Sequence, residues 1–223
     1  FGRDMDVATT LDTQLNVFEK FDPKISDEQK ASPVLFLGNI DPVLQTAVLS
    51  QMKGPEIVAA DTMNFWINSK RETLKKLLSR VDVLFCNEEE AQSLSGQVGN
   101  VRALRVLAGW GPSVVILKKG EHGALMFAHD KVYPFPASPV EVVMDPTGAG
   151  DSFAGGFMGC LAAHGSLKDV EKLKSALVYG TVMSSFNVAG FSTRHLEELS
   201  RKDLDARHRE YVDLLSVLSR VPA

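Results

Sequence analysis

Apolar segments of strand length alternate with segments of helical periodicity along the first half of the chain, and this alternation limits the fold more than any other feature. The apolar segments lie at 33–38, 56–61, 81–86 and 113–118. Between them, apolar residues recur three or four positions apart, as in helices with one buried face. Strands joined through helices at this spacing predict a parallel sheet with right-handed crossovers, and therefore an α/β fold.

The pattern changes after the fourth apolar segment. Two short apolar segments flank His129 and Asp130 and predict a hairpin of strands 124–128 and 131–135, and residues 140–144 predict one further strand. The rest of the chain has helical periodicity, in segments that lie at 149–163, 167–188 and 202–218.

Two helix starts can be placed from their capping residues. Asp41 and Pro42 combine a capping side chain with a proline at the first helical position. Ser69 and Glu72 have the spacing of a capping box, which predicts a second helix start.

Composition excludes several classes of protein. The 24 Lys and Arg against 28 Asp and Glu give a net charge of −4, which argues against a general nucleic-acid binder. No apolar run reaches membrane-spanning length, and the first residues do not resemble a signal peptide. We therefore expect no nucleic-acid or membrane partner and a cytoplasmic location.

Cys86 and Cys160 lie in apolar stretches, so we expect both thiols to be buried and reduced.

The strongest functional signal is the sequence DPTGAGDSFAGGF at 145–157, which follows a predicted strand and opens a helix. Gly148, Ala149 and Gly150 are small, so the backbone can approach a ligand closely there. A helix amino terminus presents unpaired N–H groups, which suit a phosphate or a developing oxyanion. Asp151 lies at the same terminus, where it can take a proton from an attacking hydroxyl or simply cap the helix.

This segment resembles the carboxy-terminal signature of the ribokinase-like (PfkB) carbohydrate and nucleoside kinases, and the resemblance extends from about residue 11 to about residue 194. It implies a three-layer α/β/α sandwich with a mainly parallel central sheet. It also implies that γ-phosphoryl groups pass from ATP to a hydroxymethyl group of a sugar or nucleoside, with Mg²⁺ as the cofactor. Asp151 would be the catalytic base, and Gly148, Ala149 and Gly150 would form the anion hole.

Two further segments are similar to nucleotide-binding elements of the family. Asn87 and Glu90 match an N-x-x-E element that helps to place Mg²⁺ and phosphate. The same two residues have capping-box spacing, and both interpretations can hold. Lys118, Gly120 and Gly123 resemble the strand and glycine loop that lies over the nucleotide. Lys118 would pair with an ATP phosphate as a point charge, or else be a solvated lysine at a hairpin entry.

The resemblance implies two more sites. Tyr179 and Met183 match the position of the adenine pocket, although a stripe of this kind also fits a helix core. Asp145 and Thr147 occupy positions that bind a monovalent cation such as K⁺ in some relatives.

The chain resembles the family from its lid onward, and no segment matches the family's amino-terminal Gly-Gly element. We interpret residues 1–223 as a single ribokinase-like domain, partial at its amino terminus, in which about 1–25 form a lid remnant and a strand at 9–18 returns to the sheet. Asp61 and Asn64 follow the second strand and either face the acceptor or cap a turn. The acceptor alcohol is not identified, and the oligomeric state stays open, a dimer included.

Two other functions compete with a kinase. A non-catalytic nucleotide-binding module would keep the ATP half-site and lack an acceptor site. Asp151 favours the kinase, whereas the absence of the family's amino-terminal portion favours the module. A dinucleotide-binding dehydrogenase would carry its glycine-rich turn after the first strand, whereas the glycine-rich turn of this chain lies late in the sequence.

Overall fold

A computed structural model describes residues 16–216, which group into two compact units. Of these residues, the first unit comprises 16–120 and the segment 124–134. The second unit comprises 121–123 and 135–216.

A six-stranded sheet forms the centre of the first unit. Its strands follow one another in space in chain order, and they are β1 (Val34–Leu37), β2 (Ile57–Asp61), β3 (Val83–Asn87), β4 (Val114–Lys118), β5 (Ala124–Ala128) and β6 (Lys131–Phe135). The first four strands are parallel, and β5 runs antiparallel to β4. The four predicted parallel strands and both hairpin strands are confirmed. His129 and Asp130 have positive φ angles of 49° and 61°, as the tight turn between β5 and β6 requires.

Short helices precede β1 and connect the four parallel strands of this unit. They are α1 (Asp27–Lys30), α2 (Pro42–Gln51), α3 (Asn64–Ser69), α4 (Arg71–Leu78), α5 (Glu88–Ser95) and α6 (Asn100–Ala108). Alternate strand residues point to one face of the sheet, where Leu84 and Val115 pack in one core with Leu74 and Leu104. Residues of the opposite face, such as Phe85, are buried as well, as expected of a parallel sheet.

The two predicted helix starts had different outcomes. The Asp41 carboxylate accepts a hydrogen bond from the Val43 amide at 2.9 Å, and Pro42 is the first residue of α2, as predicted. The capping box at Ser69 and Glu72 was wrong, because α4 begins without a side-chain cap. Ser69 instead ends α3, a helix that the sequence did not reveal, and its hydroxyl donates to the Phe65 carbonyl at 2.5 Å.

The second unit is helical in the part of the chain that the structure describes. Its helices are α7 (Ala149–His164), α8 (Val170–Val188), α9 (Arg194–Glu197) and α10 (Arg201–Ser216). Two glycines let α7 and α8 approach closely, since a Cβ atom on Gly156 would lie 2.6 Å from the Tyr179 carbonyl oxygen and one on Gly180 would lie 2.9 Å from the Phe153 carbonyl oxygen. Tyr211 of α10 is buried, and its hydroxyl donates to the Pro136 carbonyl at 2.6 Å.

The predicted strand 140–144 was wrong. The segment is irregular, and the side chains of Val142 and Met144 are 57% and 59% exposed. The Met144 amide donates to the Val188 carbonyl at 2.8 Å, so its partner is the end of α8 instead of another strand. A β-branched apolar run predicts a strand only where a neighbouring strand is available to pair with it.

Three further sequence predictions concern the amino-terminal strand, membrane spans and the cysteines. Most of the predicted return strand 9–18 lies outside the described residues, and its last residues fall in a 3₁₀ helix at Asn16–Lys20. No helix within residues 16–216 is long and apolar enough to span a membrane. Cys86 and Cys160 are buried free thiols, as predicted, and burial raises the pKa of both.

Candidate active site

The turn that opens α7 depends on glycine. Gly148 occupies the cap position of the helix with φ +79°, a left-handed conformation that strains other residues. A Cβ atom there would also lie 3.4 Å from Oδ1 of Asn187. The predicted transition from turn to helix at this signature is therefore confirmed.

Three backbone N–H groups of this turn are available to a ligand. The amides of Gly148, Gly150 and Asp151 have no hydrogen-bond acceptor among residues 16–216. The Ala149 amide donates to the Pro146 carbonyl at 3.2 Å and is therefore engaged. Free N–H groups at the start of a 16-residue helix, reinforced by the helix dipole, favour an anion.

Asp151 lies at the third position of α7 and does not cap the helix. The cap residue is Gly148, and no side chain caps this terminus. The Asp151 carboxylate is exposed and has neither a hydrogen bond nor an ion pair within the described residues. The interpretation of Asp151 as a helix cap is therefore wrong, and its carboxylate is available to react.

Asn187, whose role the sequence did not reveal, joins both sides of the turn. Its side chain is 3% exposed. Its Nδ2 donates to the Thr147 carbonyl at 2.8 Å, and its Oδ1 accepts from the Ser152 hydroxyl at 2.9 Å. Thr181 and Ser185 of the same helix are also buried, so a polar residue at a buried position of the predicted helix did not by itself single out Asn187.

Asp145 and Thr147, the predicted cation residues, are in contact. The Asp145 carboxylate accepts hydrogen bonds from the Thr147 amide at 2.9 Å and from the Ser192 amide at 3.3 Å. The backbone N–H and side chain of Thr147, together with the Ser192 amide, hold the pKa of Asp145 below its ordinary value. Within the described range, no group of three or more His, Cys, Asp or Glu side chains is arranged to hold a metal ion.

In the first unit, Asn87 and Glu90 form the predicted capping box at the start of α5. The Asn87 side chain accepts from the Glu90 amide at 2.8 Å, and the Glu90 carboxylate accepts from the Asn87 amide at 2.7 Å. Glu90 is 7% exposed. Burial raises the pKa of its carboxyl to about 7, although the Asn87 amide and the charge of Lys118 oppose the shift.

Lys118 is not a solvated lysine. Its Nζ lies 2.7 Å from Oδ2 of Asp61, and this largely buried ion pair joins the carboxyl ends of β2 and β4. Burial alone would lower the pKa of Lys118, but the charge and hydrogen bond of Asp61, with the charge of Glu90, outweigh it and raise the pKa. The other oxygen of Asp61 accepts from the Thr62 amide at 2.8 Å.

Asn64 does not cap the turn after β2. It is the first residue of α3, the cap position belongs to Met63, and Oδ1 of Asn64 is buried without a hydrogen-bond partner among the described residues. Of the two alternatives for Asn64, turn capping is therefore wrong, and the acceptor contact stays a prediction.

Gly120 and Gly123, in the loop after β4, both have positive φ angles, of 56° and 82°. A Cβ atom on Gly123 would lie 2.0 Å from the Phe135 carbonyl oxygen, so only glycine fits there. A nucleotide contact by this loop stays a prediction.

Tyr179 and Met183 lie on α8 and contact neighbouring helices. The Tyr179 ring centroid lies 4.6 Å from that of His208 in α10. The Met183 side chain packs against Gly156 of α7, so closely that a Cβ atom added to Gly156 would lie 2.8 Å from Cγ of Met183. The Met183 contact supports the core interpretation of that residue, and an adenine contact by Tyr179 or Met183 stays a prediction.

Solved structures share this fold. A nucleoside kinase from Methanocaldococcus jannaschii, described as an archaeal member of the ribokinase family, matches 87% of this chain and 60% of its own, with a TM-score of 0.66 and 22% identity. A fructokinase from Vibrio cholerae matches 87% of this chain and 64% of its own, with a TM-score of 0.68 and 21% identity. The predicted ribokinase-like α/β/α fold is therefore confirmed.

The chain belongs to the pfkB family of carbohydrate kinases, whose family model matches residues 19–198. A cytidine kinase from Thermococcus kodakarensis is 35% identical over 138 residues, which are 60% of this chain and 49% of that protein. A fructokinase from Klebsiella pneumoniae is 36% identical over 96 residues, 43% of this chain and 31% of that protein. The chain thus spans at most about half the length of these relatives.

Proposed function

We propose that this protein is an ATP-dependent phosphotransferase that phosphorylates a hydroxymethyl group of a sugar or nucleoside, with Asp151 as the general base. The observation that carries the proposal is the exposed, unpaired Asp151 carboxylate in the first turn of α7, next to the free amides of Gly148 and Gly150. Membership of the pfkB family supports the same reaction class.

In the proposed reaction, Asp151 takes the proton of the acceptor hydroxyl as the hydroxyl oxygen attacks the γ-phosphorus. The bond from that phosphorus to the oxygen bridging it to the β-phosphorus breaks, and ADP leaves with the bonding electron pair. The turn formed by Gly148, Ala149 and Gly150 stabilises the charge on the transferred group through backbone N–H groups and the helix dipole.

We propose nucleotide contacts at Asn87, Lys118, Gly120, Gly123, Tyr179 and Met183, the residues that match the family's nucleotide-binding elements. Asn87, Gly120 and Gly123 lie at or after the carboxyl ends of β3 and β4, where open α/β sheets bind ligands. The proposed adenine contacts are Tyr179 and Met183. A phosphate contact by Lys118 would have to compete with Asp61 for its ammonium group. The Vibrio cholerae fructokinase structure contains fructose, ADP and a calcium ion, which supports the ligand class.

Two cations complete the proposal. Mg²⁺, when bound, neutralises charge on the phosphates, and Glu90 is the carboxylate that would help to hold it. Carboxylate oxygens are hard donors, which suit Mg²⁺. Glu90 becomes increasingly ionised as the pH rises above its pKa of about 7. Asp145, whose lowered pKa favours the carboxylate, and Thr147 would hold a monovalent cation such as K⁺.

Asp151→Asn tests the assignment of the base. The amide is nearly isosteric but accepts no proton at neutral pH, so the turnover number should fall by about 10²–10⁴, or roughly 3–5 kcal/mol of barrier. Turnover is measured as ADP release with a panel of pentoses, hexoses and nucleosides. Calorimetric titration should show Mg-ADP affinity nearly unchanged.

Asp169→Asn is the matched control. Asp169 caps α8 through the Glu171 amide, and asparagine caps equally well, so turnover should stay near wild type. Asp151→Asn turnover within about threefold of wild type would show that Asp151 is not the base. Mg-ADP binding without transfer to any alcohol would favour the non-catalytic module, and absence of binding at millimolar Mg-ADP would contradict both functions.

A further inference from the structure

We infer that Asn187 is a positioning residue that fixes the Gly148–Asp151 turn in the conformation that receives the transferred phosphoryl group. The inference rests on the proposed function. Within residues 16–216 the Asn187 side chain hydrogen-bonds to Thr147 and Ser152 and not to Asp151, so its effect on the proposed reaction passes through the backbone of the turn.

The hydrogen bond to Thr147 sets the direction of a free amide. The Thr147 carbonyl and the Gly148 N–H belong to one trans peptide plane and point in opposite directions. Because Nδ2 of Asn187 holds that carbonyl at 2.8 Å, the Gly148 N–H points away from Asn187. Gly148 is one of the residues whose amide has no acceptor in the described part of the chain.

The hydrogen bond from Ser152 fixes the other side of the turn. Ser152 follows Asp151 in the first turn of α7, and its hydroxyl donates to Oδ1 of Asn187 at 2.9 Å. One buried side chain therefore ties the residue before Gly148 to the residue after Asp151. The free amides of Gly148, Gly150 and Asp151 lie between these two anchors.

An asparagine suits this position because it must donate on one side and accept on the other. Leucine has a similar size but makes neither hydrogen bond. Other contacts at the end of α8 support the loop further upstream, since the Val188 carbonyl accepts from the Met144 amide and the Ser192 amide donates to Asp145. Loss of Asn187 should therefore loosen the turn and leave its approach to α8 in place.

The test compares Asn187→Leu with Ser184→Ala. Ser184 lies on the same helix, and its hydroxyl donates only to the Thr181 carbonyl, so its loss serves as the control. Calorimetry gives the affinities for Mg-ADP and for a non-hydrolysable Mg-ATP analogue. In Asn187→Leu the affinity for the Mg-ATP analogue should fall about tenfold more than the affinity for Mg-ADP. Ser184→Ala should leave the ratio of the two affinities unchanged. A purely structural role would weaken both ligands equally and would contradict the inference.

A second readout needs no ligand. In the wild-type protein the Gly148 and Gly150 amides should have ¹⁵N order parameters of about 0.85, falling below about 0.6 in Asn187→Leu. If wild type binds neither nucleotide, the proposed function fails, and the order parameters still decide whether Asn187 holds the turn. Should Asn187→Leu fail to fold, Ser152→Ala removes one anchor and should change the affinity ratio about threefold. An unchanged ratio with unchanged order parameters overturns the inference.

Discussion

At the scale of single residues, the charge of Glu90 links the stability of the protein to its proposed metal site. The carboxylate accepts from the Asn87 amide at 2.7 Å, yet burial favours the neutral acid and raises the pKa to about 7. The folded protein therefore holds a proton that the unfolded chain releases between pH 4.5 and about 7. The stability that this proton provides is complete below pH 4.5 and is lost as the pH rises through about 7.

Replacing Glu90 by glutamine should remove this dependence on pH. The free energy of unfolding of wild type, relative to Glu90→Gln, should fall by about 2–3 kcal/mol between pH 5 and pH 8. Urea unfolding of both proteins across that range measures the difference. Glu89→Gln removes an exposed carboxylate from the same helical turn and should give a flat difference. A flat difference for Glu90→Gln as well would contradict the raised pKa.

The sequence predicts residues of the candidate site where their chemistry is local. Gly148 and Asp151 belong to one continuous signature, and the capping box joins residues three apart, so each could be found from a short window. Asn187 lies 35 positions from Ser152, and Lys118 lies 57 positions from Asp61. Such partners meet only through tertiary packing, which is why the pairing of Lys118 and the role of Asn187 could not be predicted.

At the scale of elements, the contact of α7 with α8 depends on glycines, whose lack of a Cβ atom lets the two helices lie close together. Gly156 faces the Tyr179 carbonyl, and a Cβ atom there would lie only 2.6 Å from that oxygen. Gly155, the preceding residue of the same helix, is exposed, and a Cβ atom added to it would meet no neighbouring atom within 4 Å. The two glycines form a matched pair, because helix propensity acts on both and packing on only one.

Alanine at these neighbouring positions should have opposite effects on stability. Gly155→Ala should raise the free energy of unfolding by about 0.5–1 kcal/mol, since alanine favours a helix interior. Gly156→Ala should lower it by about 1–3 kcal/mol, because the helix backbones must move apart. Urea unfolding of both variants measures the difference. Equal changes would show that α7 and α8 do not approach as closely as the structure describes.

Strands that have a neighbouring strand to pair with were predictable, and the segment before the signature was not. The apolar patterns of β2, β3 and β4 give strands because each pairs with strands on both sides. Residues 140–144 have a similar pattern, but their backbone contacts the end of α8. The capping box at Ser69 failed for a related reason, because the six-residue helix α3 has that serine as its last residue. A local sequence pattern gives a propensity for a strand or a helix start, and the tertiary contacts available to the segment decide which structure forms.

At the scale of the whole molecule, the two compact units are not separate stretches of chain. The chain passes from one unit to the other after residues 120, 123 and 134. The last crossing falls within β6, because Lys131–Pro134 belong to the first unit and Phe135 to the second. Unfolding of the second unit would release Phe135 from β6 and loosen the segment between β4 and β5. The single domain stays a prediction, which thermal unfolding can test.

A single cooperative domain should unfold in one thermal transition. Differential scanning calorimetry should give a calorimetric enthalpy about equal to the van't Hoff enthalpy. Gly156→Ala, which perturbs only the second unit, should move the whole transition down by about 2–4 °C for each kcal/mol lost, without splitting it. When both units unfold in one cooperative transition, free energy of unfolding lost in one unit lowers the melting temperature of both. Two separate peaks, or a shift of only one component, would show instead that the units fold as independent domains.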